Sequence, residues 1–436
     1  MILKASKRGG AKQLARHLMN GEKNEHVTVH EVSGFAGETV SEALNEIYAI
    51  SQGTKCSRFM FSLSLNPPQD KQVPVAAFED ALAKIEQKLG MENQPRIIVF
   101  HEKKGRRHAH CVWSRINEEM RAIDLPFFKN KLKDVSKEIY IQHGWKLPAG
   151  LIDKSQKNPL NFTRAEWQQA ARTGRNPKAI KAALQESWAT SDNRTSFEHA
   201  LAERGFYLAK GDRRGFVAID IFGEVYALPR QLGIKKKDVE RRLGNANALP
   251  SVETVKENIS GEVSKVSKKF LGELNKDHQK ALQPLQKTKA AMTRQHRLDR
   301  KRQKAFQAER WTREENKRAA RVRKGLKGIW DKLSGRYWKT RKQNEKETFA
   351  CLQRDQREHD DLIRKQLEMR QNLQVQIKLL NEKQEEERSD LIRDLSRMKT
   401  LTKKKRQRPA HSKQKRRQQS HDIGFEPSGP DIEPEI

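Results

Sequence analysis

A change of composition near residue 252 is the strongest constraint on what this chain can fold into. Upstream of it, aromatic residues, apolar runs and turn residues alternate, as they do in packed domains. Downstream, Lys, Arg, Gln and Glu dominate, and aromatic residues become rare apart from the island Ile329–Trp338. Because only 35% of the residues are hydrophobic and 33% are charged, one core cannot serve the whole chain. We therefore expect globular structure before residue 252 and extended helical structure after it.

Residues 1–150 are predicted to form an α+β domain. Arg58–Asn66 alternates apolar and polar residues, as a half-buried strand does. Residues 74–90 then carry apolar side chains at helical spacing. Arg96–His101 and His108–Ile116 are predicted as two further strands joined by a hairpin. This order favours a two-layer α/β sandwich with a mainly antiparallel sheet, and 128–143 is predicted to add a helix.

Three further regions are predicted behind this domain. Residues 158–245 combine helical segments with short strands and turns, which indicates a small accessory α+β module. Residues 252–420 are predicted to form a long basic helical or coiled-coil region, because apolar residues recur at helical intervals within 360–399. Lys403–Arg417 is almost purely basic and resembles a nonspecific DNA-holding arm. Residues 421–436 are acidic and rich in proline, and are expected to be disordered.

The net charge of +33 indicates a polyanionic partner. Nucleic acid is the commonest such partner, through release of counterions from phosphates, although an anionic membrane surface or a partnerless basic tail would also fit. The three cysteines suggest neither a disulfide framework nor a zinc ribbon, which fits a reducing cytoplasm. No stretch reaches the ~18 apolar residues of a bilayer-spanning helix, so we expect a cytoplasmic protein with no membrane segment.

Three histidines close together in the sequence form a candidate metal site. His108 and His110 are two positions apart on a predicted strand, so their side chains share one face. His101 ends the preceding strand, and a turn at Gly105 would bring it beside them. Three imidazoles suit Mn²⁺, Zn²⁺, Ni²⁺ or Co²⁺ better than Mg²⁺, which prefers oxygen ligands. The basic residues around them would hold a phosphate backbone beside the ion; they are Lys103, Lys104, Arg106 and Arg107.

The spacing of these histidines resembles the metal motif of the relaxase, or mobilization nuclease, family of mobile plasmids, within the HUH endonuclease superfamily. In that family a histidine and a short spacer precede H-x-H and an apolar strand, and His101, His108 and His110 match position by position. The stretch from FSLSLNPP to QPRIIVFH also follows the family layout, so the resemblance covers residues 1–150.

The resemblance implies an activity, a cofactor and partners. A relaxase nicks one strand of plasmid DNA at an origin of transfer, and a nucleophilic side chain becomes linked to the 5′ phosphate. The implied cofactor is a divalent metal ion, which Mn, Mg, Zn, Ni or Co could supply. The implied partners are plasmid DNA that is single-stranded at the site, accessory mobilization proteins and a type IV secretion coupling protein.

The attacking residue is left open by the sequence. The family usually uses a tyrosine near the N-terminus, but the first tyrosine here is Tyr48. The expected position lies in the predicted helix Lys12–Met19, where His17 stands. Some branches of the family use histidine, which would form a phosphoramidate. Tyr48 is the second candidate, although sharing a helix face with Leu44 and Ile47 would also suit a core residue.

The supporting acidic residue departs from the family pattern. The family often has an acid two positions after the first histidine, where this chain has Lys103. The nearest acid is Glu102, which a regular strand would point away from His101. Glu102 is kept as a catalytic candidate on the resemblance alone, and Glu25 with His26 forms another polar pair that could assist.

Basic residues at the N-terminus are candidates for contacts with the DNA backbone. Lys4, Lys7 and Arg8 precede Gly9 and Gly10, where backbone amides could approach a phosphate closely. Two other functions would share these features. One is a basic DNA-binding or architectural protein without catalysis, and the other is an HUH-type initiator of rolling-circle replication.

Overall fold

Residues 1–407 are described by a computed structural model, except positions 23, 154, 155, 157, 213, 214, 260 and 261; residues 262–268 and 399–407 are described by their backbone alone. The predictions for the end of the basic segment Lys403–Arg417 and for 421–436 lie outside the described residues. The chain divides into two compact units. Unit 1 consists of Met1–Asn158 and Gln279–Asn381, and unit 2 consists of Pro159–His278 and the described residues from Glu382 onward.

The secondary structure follows the predicted division into a mixed part and a helical part. The strands are β1 (Ile2–Arg8), β2 (His26–Ser33), β3 (Met60–Asn66), β4 (Arg96–Lys103), β5 (Arg106–Ser114), β6 (Phe206–Gly211), β7 (Gly215–Asp220) and β8 (Val225–Ala227). The helices are α1 (Ala11–Leu18), α2 (Val40–Gln52), α3 (Val75–Leu89), α4 (Phe128–Gln142), α5 (Ala149–Ile152), α6 (Arg164–Arg172), α7 (Pro177–Ala189), α8 (Arg194–Glu203), α9 (Leu228–Leu232), α10 (Lys236–Leu243), α11 (Val252–Ile259), α12 (Glu262–Ala320), α13 (Leu326–Leu333) and α14 (Arg336–Gln407).

Unit 1 is built on a five-stranded antiparallel sheet with the strand order β1-β3-β5-β4-β2. β4 and β5 form a hairpin whose two turn residues, Lys104 and Gly105, both have positive φ angles. A turn with both central residues in the left-handed region matches the twist of the two strands. A Cβ at Gly105 would also stand 2.6 Å from the backbone nitrogen of Gln371, so only glycine fits there.

Along the central strands, the side chains that point to one face of the sheet and those that point to the other are both apolar and buried. Helices therefore cover both faces of the sheet. One core contains Phe61 and Trp113 and lies against α3 and α4. The other contains Val99 and Val112 and lies against α1 and α2. The predicted α+β class with an antiparallel sheet is confirmed, and the structure adds a third layer to the two that were predicted. The third layer arises because residues of both parities along β3, β4 and β5 are apolar.

Residues 279–381, named here the helical arm, belong to unit 1. Within the arm, α12 and α14 run antiparallel, because residues later in α12 contact residues earlier in α14. Arg310 donates to Glu358 at 2.9 Å, and Arg354 donates to Glu314 at 2.9 Å. The arm therefore joins its two helices with charged pairs, and a coiled-coil arrangement stays a prediction.

The arm is attached to the sheet through a buried ion cluster around Glu102. Arg300 contacts both carboxylate oxygens of Glu102, at 3.1 and 2.9 Å, and Arg370 and Arg107 form ion pairs with the same carboxylate. Arg370 also donates to Glu25 at 3.1 Å. Burying a charge is costly unless it is paired and hydrogen-bonded. Because Glu102 is only 1% exposed, its carboxylate depends on these guanidinium groups.

Unit 2 contains a three-stranded antiparallel meander, β6-β7-β8, packed against short helices. Its core is built from Phe197, Phe206 and Phe216. The predicted small α+β module is present in this unit, while the exact domain boundaries stay a prediction. Among the described helices, none combines the length and apolar character that crossing a bilayer would require.

Replacing Arg370 tests the ion cluster. We expect Arg370→Ala to lower the free energy of unfolding of unit 1 by about 3 kcal/mol, because it removes one partner of a buried charge. The matched control is Arg364→Ala on the same helix, whose ion pair with Asp361 is exposed and should contribute little. Urea unfolding of the full chain measures both variants. Equal midpoints for the two would mean that the cluster does not stabilise unit 1.

The stability of unit 1 should also decrease in acid. Burial, aided by Arg300, lowers the pKa of His26 from 6.5 to about 3. Below pH 6.5 the unfolded chain therefore binds a proton that folded His26 does not, so stability falls as the pH falls through this window. Between pH 7 and pH 5, His26 alone should contribute about 2 kcal/mol to this loss.

The variant His26→Gln tests this assignment in urea unfolding at both pH values. It cannot be protonated, so the pH dependence should become weaker. His143→Gln, at an exposed position of unit 1, is the matched control. An unchanged pH dependence in His26→Gln would show that another group is responsible.

Candidate metal centre

Three imidazoles converge on one face of the β4–β5 hairpin. His101 is paired with His108 across the two strands, and His110 follows on the same side of β5. The ring centroids are 4.5 Å apart for His101 and His110, 5.1 Å for His108 and His110, and 5.4 Å for His101 and His108. One nitrogen from each ring lies within 4.8 Å of the other two. The convergence predicted from spacing and strand phase is therefore present.

The protonation of His101 is fixed by a backbone contact. Its Nε2 lies 2.6 Å from the carbonyl oxygen of Leu18. A carbonyl oxygen can only accept, so Nε2 carries the hydrogen and donates it. The lone pair of His101 is then on Nδ1. A second hydrogen bond of this kind commonly orients a histidine that binds a metal.

Burial keeps the three histidines neutral. It is the largest cause of the low pKa of each ring, and the neighbouring histidines add to it. The pKa of His108 is lowered to about 4. Neutral imidazoles present the lone pairs that a divalent ion needs. The donor set therefore fits the divalent metal that was predicted, without selecting among Mn²⁺, Zn²⁺, Ni²⁺ and Co²⁺.

His17 lies beside this cluster on α1. Its ring centroid is 5.6 Å from that of His110 and 6.3 Å from that of His101. The histidines border a cavity of about 490 Å³. The structure thus brings His17 and the three candidate ligands together.

Four polar residues of this cavity were missed from the sequence. They are Gln13, Arg16, Asn20 and Asn24. A signal for them was present, because Gln13, Arg16, His17 and Asn20 recur at the three- and four-residue spacing of one helix face. The opposite face of α1, with Leu14 and Leu18, is buried in the core. A polar stripe on an otherwise packed helix could have indicated the cavity.

Tyr48 occupies a different environment. It lies on α2 and is 47% exposed, with its ring 5.9 Å from that of Phe59. Leu44 and Ile47 of the same helix are buried, whereas Tyr48 is exposed. The interpretation of Tyr48 as a core residue is therefore wrong. Tyr48 is also not among the residues that line the histidine cavity.

Glu102 and Arg107 do not face the cavity. They alternate with His101 and His108 along the strands, so they point to the other face of the sheet. The apolar residues on that face belong to the core under α3 and α4. Burial would raise the pKa of Glu102, but Arg300 and the other guanidinium groups lower it well below its usual range. A carboxylate held this way is a poor proton acceptor. Their positions therefore do not support the catalytic role predicted for Glu102 or the DNA contact predicted for Arg107, and Glu102 forms ion pairs with arginines of the arm instead.

Glu25 and His26 belong to the same attachment. Both are buried. Glu25 accepts from the backbone nitrogen of Lys104 at 2.9 Å and from Arg370. The suggested assisting role of this pair at the metal centre is thus not supported by their positions.

Three of the remaining basic candidates, Lys103, Arg106 and Arg8, lie close to the histidines. Lys103 lines the cavity, and the charges of Lys103 and Arg106 both lower the pKa of His108. Arg8 acts in the same way on His110, so it too is close. Lys4 is exposed on β1, while Lys7 forms an ion pair with Asp124 at 3.4 Å. Lys104 is exposed in the hairpin turn.

The fold and the cluster define an antiparallel α+β domain with a candidate three-histidine metal centre. Residues 16–145 match the family model described as "Relaxase: MobA/VirD2-like, nuclease domain". The match includes His17, the β4–β5 hairpin and all three candidate ligands. The resemblance to the relaxase family that the sequence predicted is therefore confirmed for residues 16–145. Searches of curated proteins and of solved structures each gave no match.

Metal binding should depend on the cluster histidines. We expect His108→Ala and His110→Ala to weaken Mn²⁺ or Zn²⁺ binding by more than about 100-fold, since loss of a direct ligand should exceed the loss of a residue that only orients one. Isothermal titration of each ion into the full chain measures this. His30→Ala, which removes a histidine paired with Glu79 at 2.8 Å, is the control. Unchanged affinity in both cluster variants would contradict the assignment.

Proposed function

We propose that this chain is a DNA relaxase that nicks one strand at a plasmid origin of transfer and becomes covalently linked to the 5′ phosphate, for conjugative mobilization. The observation that carries the proposal is the position of His17 beside the three-histidine cluster, in a domain that matches the relaxase family. This transesterification requires a nucleophile and a Lewis acid, such as a metal ion, beside the same phosphate group.

His101, His108 and His110 are proposed to hold the metal ion. When bound, the ion would offset the negative charge that develops on the non-bridging phosphate oxygens. Lys103 and Arg106 contribute further positive charge on the same face. They would hold the flanking phosphates, so that the scissile bond is oriented before attack.

His17 is the proposed nucleophile. A ring nitrogen attacks the phosphorus, and the bond from phosphorus to the 3′ oxygen breaks as the P–N bond forms. The imidazole gives up its ring proton and the departing 3′ oxygen gains one, so charge is balanced. The product is a phosphoramidate, and attack by the 3′ hydroxyl in the reverse direction rejoins the strand. Tyr48 remains the alternative nucleophile and is less favoured because it does not line the cavity.

Recognition of the nicked sequence is proposed to involve the polar face of α1 and the loop that follows it. Gln13, Asn20 and Asn24 supply donors and acceptors beside the histidines, where an unstacked base could be bound. Accessory mobilization proteins and a secretion coupling protein are further proposed partners. A cytoplasmic location is also part of the proposal, in agreement with three cysteines that carry no disulfide.

Trapping the adduct tests this proposal. With Mn²⁺ and an oligonucleotide from the origin of transfer, mass spectrometry should find the 5′ phosphate on His17. The variant His17→Ala should lower adduct formation by about 1000-fold or more while Tyr48→Phe leaves it unchanged, since removal of a nucleophile usually costs this much.

The other outcomes of this experiment are also informative. An adduct on Tyr48 would overturn the assignment of His17. A chain that binds the oligonucleotide and the metal but never forms an adduct would favour the non-catalytic DNA-binding alternative. Measuring metal affinity of His17→Ala separates loss of the nucleophile from damage to the metal centre.

A further inference from the structure

The short helix α13 in the arm presents an exposed apolar face. Leu326, Ile329, Trp330 and Leu333 are between 57% and 86% exposed. The helix is bounded by Gly325 and Gly335, both with positive φ angles, which separate it from its long neighbours. Four large apolar side chains on one short helix need an occupant, because contiguous exposed apolar patches usually mark an interaction site.

The charges of α13 are arranged around this face. At about 100° per residue, the four apolar side chains occupy an arc of about 100° of the helix circumference. Lys327 and Lys332 stand at the two edges of that arc. The only acidic residue of the helix, Asp331, lies on the opposite side and is buried in an ion pair with Arg323. An apolar face with cations on both edges is typical of a helix that lies in a membrane interface.

The surrounding sequence strengthens the positive rim. Between Arg323 and Lys339 there are six lysine and arginine residues and one acidic residue. Trp338, at the start of α14, is also exposed. Tryptophan and lysine are both favoured at the level of lipid headgroups, where an apolar body and a polar end meet different environments.

We propose that α13 is a docking surface for an anionic lipid bilayer. A second copy of the chain would fit poorly, since the two positive rims would repel one another. Single-stranded DNA would satisfy the cations, but bases stack on aromatic rings and not on leucine and isoleucine. An anionic bilayer can contact both the apolar face of α13 and the lysines that flank it. The apolar face enters the boundary of the acyl chains while Lys327 and Lys332 contact the headgroups.

The test is co-sedimentation of the full chain with vesicles of phosphatidylglycerol and phosphatidylethanolamine, and with phosphatidylcholine vesicles. A chain of charge +33 will bind any anionic surface at low salt, so the deciding condition is about 1 M salt, where charges are screened beyond ~3 Å. We expect anionic vesicles to retain the wild-type chain there. The double variant Trp330→Ser/Leu333→Ser should bind at least about tenfold more weakly.

Two further variants complete the design. Phe349→Ser/Leu379→Ser removes two apolar side chains of α14 that are also more than half exposed, and this variant should bind like the wild type. Trp330→Phe keeps an aromatic apolar side chain and should also retain binding. Release of the wild type by salt, or equal binding of the two double variants, would overturn the proposal. So would a loss of oligonucleotide affinity or of self-association in Trp330→Ser/Leu333→Ser while vesicle binding is unchanged.

Discussion

Unit 1 depends on the two-residue alternation of side chains along the β4–β5 hairpin. One parity places His101 and His108 toward α1, and the other places Glu102 and Arg107 toward the helical arm. A shift of register by one residue would exchange these two sets completely. The turn at Lys104 and Gly105 fixes the register, so the geometry of the metal centre and the attachment of the arm have one common origin.

The ion cluster behind the histidines couples the arm to the domain. Glu102 has no solvent to replace Arg300 and Arg370, so separating the arm would leave a carboxylate buried with too little compensation. The close approach of Gln371 to Gly105 places the arm directly against the hairpin turn. The strands that carry the candidate ligands are therefore held from the opposite face, which limits their motion. A metal centre gains from such rigidity, because ligands already in place lose little entropy on binding.

Local features of unit 1 could be predicted from the sequence, and distant pairings could not. The alternation of Arg58–Asn66 and the helical spacing of residues 74–90 predicted β3 and α3 closely, because burial on one face leaves a periodic signal. The strand phase also predicted that Glu102 would point away from His101. By contrast, Arg300 and Glu102 are 198 positions apart, and Arg300 lies among many similar cations. No local pattern therefore indicated that these two residues form an ion pair. Strand β1, at the sheet edge, is rich in polar residues and therefore showed no clear alternation.

The net charge of the chain overstates the number of cationic side chains that are available to contact nucleic acid. In the arm, Arg310 and Arg354 are bound to carboxylates of the facing helix, and Arg370 is buried beneath the sheet. Such cations stabilise the fold and do not form an outward DNA-binding surface. Counterion release depends on the cations that actually meet phosphate. In the proposed reaction, specific contacts at the scissile phosphate would therefore come from the few side chains that surround the histidines, and total charge would govern only the nonspecific part of binding.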